Sequence, residues 1–254
     1  MSNFSGVSVA AFLIADHSRA AMLMTLMDGR ALPAGELARA SGVTAQTASS
    51  HLAKLLEGGL ISVETEGRHR YYRLANRHVA ETLEHLAAIR PETATRPKAR
   101  SPQLRRLCWC RTCYDHLAGQ VGVALAHALQ DRDYIRASTD KQFIVTASGA
   151  EWFGSIGVDM RSVRPTRRGI ARQCLDWTER MHHLAGPLGV RLLAVLCENG
   201  WLRRSAGSRA VAVTPKGWSE FKRTLGLTEE TLMRTGTRRC DASASSSAEA
   251  RNQD

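Results

Sequence analysis

The chain has 254 residues, of which 43% are hydrophobic, so it can form one large domain or two of ordinary size, each with its own core. No apolar stretch reaches the roughly 18 residues of a membrane span, and no cleavage-type sequence follows the apolar run at 7–15, so we expect a cytoplasmic protein without a membrane partner. The formal net charge of +11 indicates an anionic partner, most commonly nucleic acid.

The first predicted elements are two helices within residues 7–27, where Ala, Leu, Ile and Met recur at helical spacing. Asp16 interrupts this pattern, and its side chain can cap a second helix that begins at His17. Asp28, Gly29 and Arg30 end that helix.

A helix-turn-helix pattern comes next. Residues 32–42 predict a short helix that Gly42 closes, because glycine takes the left-handed conformation of a tight turn. Thr44 is the predicted N-cap of a third helix, which Gly58 and Gly59 terminate. The apolar positions of this third helix recur at helical spacing, at Ala48, Leu52, Leu55 and Leu56.

A β-hairpin and a further helix complete the first domain. Residues 60–63 predict a strand, 64–67 a turn and 68–74 a returning strand with alternating basic and aromatic residues. A helix follows over 77–89. The Pro- and charge-rich stretch after it predicts a domain boundary, with residues 1–90 as the first domain and 91–102 as a linker.

The order of helix, turn, helix and basic hairpin is that of a winged helix-turn-helix. Residues 8–90 resemble the ArsR/SmtB family of repressors, on the residues of four stretches: Glu36-Leu37-Ala38, Ser49-Ser50-His51-Leu52-Ala53-Lys54-Leu55, Gly59-Leu60-Ile61 and Gly67-Arg68-His69-Arg70-Tyr71-Tyr72-Arg73-Leu74. The resemblance implies a homodimer that binds an inverted repeat in double-stranded DNA, with the first and last helices of the domain in the dimer contact. The apolar residues of 7–27 and 77–89 fit that contact, and they equally fit simple core packing.

The predicted DNA-binding residues lie on the second helix of the motif and on the hairpin. In a helix-turn-helix the second helix enters the major groove, where Gln46 can make paired hydrogen bonds to adenine. The other candidates contact bases or phosphates: Thr44, Thr47, Ser49, Ser50, His51 and Lys54 on the helix, and Arg68, Arg70 and Arg73 on the hairpin. Residues 1–92 hold nine basic and nine acidic side chains, so only local clustering, not net charge, supports this site.

The metal ligands familiar in ArsR/SmtB repressors are largely missing. The thiolate pair implied at the start of the helix-turn-helix would fall near 31–36, which contains no cysteine. The positions that match the site on the last helix are Asn76, His78, Ile89 and Glu92. An apolar Ile and a neutral Asn cannot form a good zinc shell.

The C-terminal part contains an internal repeat. The stretch 116–123 returns as 183–190, and each copy leads through a helix to a strand pair and a second helix. This order is itself winged-helix-like, so residues 103–227 are predicted to form a regulatory or dimerisation region of two degenerate units, about 113–159 and 180–227. Residues 228–254 predict a disordered tail. The fold class is therefore mainly α with small β-hairpins (α+β).

Cysteine and histidine residues near the starts of the two copies are the candidate inducer sensor: Cys110, Cys113, His116, Cys174, His182 and His183. Cys110, Cys113 and His116 are three residues apart, so on a helix they would share one face and begin a soft-metal site. Alternatives remain: an oxidant-sensing thiol, a purely structural role, or a pocket for an organic effector lined by Trp109, Tyr114, Trp152 and Trp177. The cofactor is thus open, a soft metal ion or none, and the six cysteines are too few and too unevenly spaced for a disulfide framework.

Two other classes of protein compete with a DNA-binding regulator. The first is a Cys/His metal-dependent enzyme, since Cys, His and Asp side chains can build a nucleophile-base pair or a catalytic zinc site. An enzyme is not expected, because the sequence has no nucleophile elbow, phosphate loop or His-Glu-x-x-His helix. A protein-interaction module is the second alternative, since the first domain is neutral overall. Salt-dependent binding to DNA separates this alternative from a repressor.

Overall fold

The computed structural model describes residues 4–89 and 102–234. These residues form two compact units, one of 4–86 with Ala206–Arg209 and one of 87–89, 102–205 and 210–234. The predicted linker lies almost wholly outside the described residues. Among the described residues no single helix is long and apolar enough to cross a membrane; Gly6–Ala15 and His17–Leu26 reach that length only together, and they are bent by 93°.

The first unit is a winged helix-turn-helix. Its elements in chain order are α1 (Phe4–Ala15), α2 (His17–Leu26), β1 (Leu32–Pro33), α3 (Ala34–Ser41), α4 (Ala45–Glu57), β2 (Ile61–Glu66), β3 (His69–Leu74) and α5 (Arg77–Ala88). The three strands form one antiparallel sheet in the order β1-β3-β2. The core between helices and sheet is built from Met22, Leu23, Leu26, Leu37, Leu52, Leu55, Ile61 and Tyr72.

Local signals fix the ends of the helices in this unit. Asp16 caps α2 as predicted, and its Oδ1 accepts a hydrogen bond from the backbone N–H of Arg19 at 2.9 Å. Arg19 is itself buried, and its guanidinium donates to the carbonyls of Phe12 and Leu13 at the end of α1. Two of the four carbonyls that the end of a helix leaves without partners are thereby satisfied, and Arg19 ties the end of α1 to α2.

The second unit has α6 (Pro102–Trp109) followed by the same series of elements twice. The first copy is β4 (Arg111–Cys113), β5 (His116–Ala118), α7 (Gly119–Asp131), β6 (Ile135–Ala137), β7 (Phe143–Val145) and α8 (Ala147–Ser155). The second is β8 (Arg172–Leu175), β9 (His182–Ala185), α9 (Gly186–Glu198), β10 (Leu202–Arg204), β11 (Val211–Val213) and α10 (Pro215–Leu225). Each copy contains two antiparallel hairpins, β4-β5 and β6-β7 or β8-β9 and β10-β11.

Residues at matching positions have the same structural role in both copies. Thr146 and Thr214 cap α8 and α10, and each side chain accepts from the backbone N–H three residues on. Gly119 and Gly186 both have a φ of 79°, which suits glycine where β5 and β9 turn directly into helices. The two copies share one core, because α7 packs on β9 and α9 packs on β5.

Two boundaries differ from the sequence expectation. Residues 116–118 and 183–185 belong to strands, so each copy begins with a hairpin rather than with a helix. The tail does not begin at 228: residues 229–234 are helical, and Leu232 is buried in the core of the second unit. Cys240 and the other residues of 235–254 lie outside the described range. The predicted fold class, mainly α with small hairpins, is confirmed.

Candidate functional site

The outer face of α4 is the first candidate site. Gly42 closes α3 with a φ of 70°, and Thr44 caps α4, its hydroxyl accepting from the backbone N–H of Thr47 at 3.2 Å. Ala48, Leu52 and Leu55 anchor the inner face of α4 in the core. The opposite face therefore stands in solvent and carries these exposed polar residues: Thr44, Gln46, Thr47, Ser49, Ser50 and Lys54.

Three of these polar side chains already form hydrogen bonds within α4 or at its N-cap. The hydroxyl of Ser49 donates to the carbonyl of Ala45 at 3.0 Å, and the hydroxyls of Thr44 and Thr47 lie 2.9 Å apart. Such bonds hold short side chains close to the helix. Gln46 and Lys54 extend beyond them as the longest polar side chains on this face.

His51 does not share the exposed face with the other predicted residues. Its side chain is only 16% exposed, and Nδ1 lies 3.8 Å from Oδ1 of Asp16. His51 follows Ala48 by three residues and precedes Leu55 by four, which brings it to the edge of the buried stripe. The imidazole therefore supports the packing of α4 on the corner between α1 and α2.

The hairpin β2-β3 forms the wing, and its turn is tighter than predicted. Glu64, Thr65 and Glu66 pair with β3 as part of β2, so the turn consists of Gly67 and Arg68 alone. Gly67 has a φ of 57°, as such a two-residue turn requires.

The three arginines of the wing have different surroundings. Arg68 is exposed in the turn, and Arg70 is exposed with its guanidinium 5.8 Å from the centre of the Tyr72 ring. Arg73 donates to Oε2 of Glu64 at 2.7 Å across the hairpin. The charge of Arg73 is thus partly neutralised, while Arg68 and Arg70 present theirs to solvent.

The residues that match the familiar ArsR/SmtB metal site on α5 have other roles. Oδ1 of Asn76 accepts from the backbone N–H groups of His78 and Val79 and so caps α5. His78 lies 3.5 Å from Glu81 on the surface, and Ile89 is 75% exposed. Glu92 lies outside the described residues.

A second candidate site is a cluster of two cysteines and two histidines, the CCHH cluster, in the second unit. Cys113 on β4 pairs across the strands with His116 on β5, and Cys174 on β8 pairs in the same way with His183 on β9. The four potential ligand atoms all lie within 4.8 Å of one another. The helical arrangement predicted for Cys110, Cys113 and His116 is wrong, because two short strands bring the residues together instead.

A carboxylate lies beside each imidazole ring of the CCHH cluster, and one of the two is hydrogen-bonded to its ring. Nδ1 of His116 lies 2.9 Å from Oδ1 of Asp115, and Nδ1 of His183 lies 3.6 Å from Oδ2 of Asp176. The two Nε2 atoms face each other at 3.1 Å. Burial acts to lower the pKa of His116, but hydrogen bonds with Asp115 and Cys113 overcome this effect and raise it to about 9.

Asp176 is fully buried and held by a network that sequence reasoning did not assign. Burial acts to raise its pKa, but the Arg111 guanidinium at 3.0 Å, the nearby His183 and several hydrogen bonds hold that pKa well below its usual range. One of these bonds comes from the backbone N–H of Gly119 at 2.8 Å, at the start of α7. A carboxylate from the second copy thus caps a helix of the first. The only sequence signal was the closeness of Asp176 to Cys174.

Two other predicted sensor residues lie outside the CCHH cluster. His182 is exposed, because neighbouring residues of a strand point to opposite faces. Cys110 is fully buried, and burial raises the pKa of its thiol to about 12. A thiol with so high a pKa is the opposite of the low-pKa thiol that oxidant sensing needs.

The four aromatic residues predicted to line an effector pocket have separate surroundings. Trp152 stacks on Tyr134 with ring centres 5.5 Å apart, and Trp109 packs against Trp218 at 6.3 Å. Trp177 lies under the guanidinium of Arg111 at 5.2 Å. Tyr114 is 38% exposed. Nothing in these contacts gathers the four around one ligand.

Comparison with known proteins matches both parts of the chain. A family model described as a helix-turn-helix domain matches residues 14–64. The HTH-type transcriptional regulator YdfF of Bacillus subtilis is 46% identical over 215 residues, which are 85% of this chain and 95% of that protein. CmtR of Mycobacterium bovis, also an HTH-type transcriptional regulator, is 38% identical over 76 residues, which are 30% of this chain and 64% of CmtR.

Solved structures similar to the chain match about a third of it. The homodimeric winged helix-turn-helix DNA-binding domain Mb0332 from Mycobacterium bovis is 28% identical, covers 35% of this chain and 86% of its own, and has a TM-score of 0.32. The cadmium metal-sensor CmtR from Mycobacterium tuberculosis is 32% identical, covers 37% and 98%, and has a TM-score of 0.29.

Proposed function

The chain belongs to the family of HTH-type transcriptional regulators, with an ArsR-type winged helix-turn-helix, and we propose that it is a homodimeric repressor that binds an inverted-repeat operator in double-stranded DNA. One observation carries the proposal. The polar face of α4 is exposed over its full length, while the opposite face is anchored in the core. A helix held in this way can enter the major groove without loss of its packing.

The residues of α4 divide between reading bases and positioning the helix. Gln46 is exposed in the first turn and can form two hydrogen bonds with an adenine edge. Thr47 and Ser50 are short, so the helix can come close to the base edges, and Lys54 suits a phosphate. His51 is assigned a packing role, because its side chain faces Asp16.

The wing supplies charge for the DNA backbone or the minor groove. Arg68 and Arg70 are exposed near its tip, and neither guanidinium forms an ion pair with an acidic side chain of residues 4–89 or 102–234. Arg73 contributes less, because Glu64 already pairs with it. Residues 1–92 are neutral overall, so the affinity for DNA depends on this local placement of charge.

The proposed dimer contact uses α1. Val7, Val9 and Phe12 on this helix are 70%, 55% and 70% exposed, and Leu86 near the end of α5 is 45% exposed. Leu13 is the buried apolar anchor of α1 in its own unit. An apolar helix with so little of its surface covered by its own unit is suited to burial against the same helix of a second copy.

We further propose that the protein acts in the cytoplasm and that an inducer bound by the second unit releases it from DNA. The support for this role is that the second unit has its own core, separate from the core of the DNA-binding unit. An equilibrium between two states can be shifted only by a ligand that binds one of them better.

The test is the salt dependence of binding to the DNA upstream of the chain's own gene, compared with a scrambled duplex of equal length. A repressor loses affinity steeply as salt rises and prefers its own upstream DNA at every salt concentration. A protein-interaction module would bind neither duplex. Equal, weak binding to both duplexes would also contradict the proposal.

A further inference from the structure

The CCHH cluster draws its members equally from the two copies of the repeat. Cys113 and His116 come from the hairpin β4-β5, and Cys174 and His183 come from β8-β9. Cys113, His116 and His183 are buried, with 8%, 7% and 0% of their surface exposed. Four potential metal ligands thus meet from two hairpins that are far apart in the sequence. The packing of small apolar residues alone does not require such an arrangement.

The spacing of the two imidazoles matches that of ligands on one metal ion. Two nitrogens, each about 2.0–2.1 Å from a tetrahedral Zn²⁺, are separated by about 3.3 Å. The Nε2 atoms of His116 and His183 are 3.1 Å apart. The two thiols complete the set within 4.8 Å.

The carboxylates beside the rings favour a cation between them. When the His116 ring is neutral and its proton is on Nδ1, in a hydrogen bond to Asp115, Nε2 carries a lone pair that a metal ion can bind. Nδ1 of His183 lies 3.6 Å from Oδ2 of Asp176, too far for a hydrogen bond, so Asp176 contributes a negative charge near this ring rather than a fixed proton. The two Nε2 atoms face each other at hydrogen-bond distance, and a metal ion bound by both takes the place of the proton between them. Metal-binding histidines are commonly held by a carboxylate at their second ring nitrogen, as Asp115 holds Nδ1 of His116.

We propose that Cys113, His116, Cys174 and His183 bind one Zn²⁺ ion in a closed tetrahedral site. Two thiolates and two imidazoles suit a borderline-soft divalent ion rather than Mg²⁺ or Ca²⁺, which prefer oxygen ligands. Each thiol loses its proton to solvent on binding, so the two thiolate charges balance the charge of the ion. The buried site is then neutral as a whole.

The zinc ion holds the two copies of the repeat together. All four coordination positions are filled by protein, which is typical of structural rather than catalytic zinc. The chain between Cys113 and His183 includes α7, α8 and most of the first copy, so the ion fixes a long loop inside the second unit. This role goes beyond the proposed repressor function and does not depend on it.

The chain offers matched control positions for a test. His182 lies next to His183 but is exposed on the other face of β9, and Cys197 is a half-buried cysteine outside the cluster. We therefore compare Cys174→Ser and His183→Gln with Cys197→Ser and His182→Gln. Cys197→Ser is the control for Cys174→Ser, and His182→Gln is the control for His183→Gln, so each change inside the proposed site has the same chemical change outside it.

The experiment is metal analysis of the full chain, purified under reducing conditions and dialysed against Zn²⁺. The wild type, Cys197→Ser and His182→Gln are expected to retain about one zinc per chain, whereas Cys174→Ser and His183→Gln lose at least about nine-tenths of it. If the latter pair does not fold, wild-type protein reconstituted with Co²⁺ provides the readout, with the absorption bands of tetrahedral cobalt bound to thiolate. Wild-type protein without stoichiometric zinc and without these cobalt bands overturns the proposal, as does equal zinc in all four variants.

Discussion

The Nε2 atoms of His116 and His183 lie 3.1 Å apart although 67 residues separate them in the chain. Each ring sits at the same place in its copy of the repeat, on the second strand of a hairpin and opposite a cysteine. The internal repeat thus places one Cys-His pair on each hairpin, and the packing of the copies brings the two pairs together.

The carboxylate of Asp115 holds the His116 ring by a contact with Nδ1 of the histidine, so Asp115→Asn is expected to weaken zinc binding. Removal of a carboxylate that orients a metal-binding histidine typically costs about 10- to 100-fold in affinity. Competition with a chromophoric chelator measures the change. Asp140→Asn, at an exposed position outside the cluster, is the control and should leave the affinity unchanged. Wild-type affinity in Asp115→Asn would show that the 2.9 Å contact does not support a ligand.

Thr44→Ala is expected to destabilise α4. The substitution removes the hydroxyl that accepts from the N–H of Thr47, and the loss of such a cap costs about 1 kcal/mol in the free energy of unfolding. Urea denaturation with amide exchange in α4 measures this cost. Thr44→Ser keeps the hydroxyl and should recover most of the stability. A loss of the same size in both variants would argue against the cap.

Charge on α1 is expected to dissociate the proposed dimer. Val7→Glu combined with Phe12→Glu places two carboxylates on the exposed face of α1. The dissociation constant of the dimer should rise at least about tenfold, because each 1.4 kcal/mol of lost binding free energy is a factor of ten. Analytical ultracentrifugation gives the constant. Ile144→Glu changes an apolar residue of the second unit that is 57% exposed and serves as the control. If both proteins dimerise as the wild type does, α1 is not the contact.

The exposed arginines of the wing are expected to set part of the salt dependence. Arg68→Ala combined with Arg70→Ala should reduce the slope of log affinity against log salt by about 0.9 for each lost phosphate contact. Arg73→Ala should change the slope less, since Glu64 already pairs with that guanidinium. Lys216→Ala with Lys222→Ala removes two exposed charges from α10 and tests for a general effect of net charge. An equal change in slope in all three variants would leave the wing without a specific role.

The winged helix-turn-helix was predictable because its signals are local. Asp16, Gly42 and Thr44 mark helix ends through their own side chain or backbone preference, and each acts as the sequence indicates. The wing turn lies later in the chain than the sequence predicts, because Glu64 and Glu66 are polar and interrupt the apolar pattern that marks the strand. They pair in β2 instead, since the pairing with β3 continues to the two-residue turn.

The CCHH cluster was only partly predictable. Residue types at the starts of both copies indicate the ligands, but strands of three or four residues are too short to show alternation, so the spacing of Cys110, Cys113 and His116 fits a helix equally well. Cys110 and His182 could not be separated from the true cluster, because the face of a strand depends on its register. The role of Asp176 depends on tertiary contacts alone.

Binding of the triple variant Gln46→Ala/Thr47→Ala/Ser50→Ala most directly tests whether α4 reads the operator. The measurement is the ratio of affinities for the chain's upstream DNA and for a scrambled duplex, at one salt concentration and with full-length protein. We predict that the preference of the wild type, at least about 1,000-fold, falls to near unity while weak binding to both duplexes persists, because the wing charges remain. Ser219→Ala, an exposed serine on α10, should keep the wild-type ratio. An unchanged ratio in a folded triple variant would contradict the account.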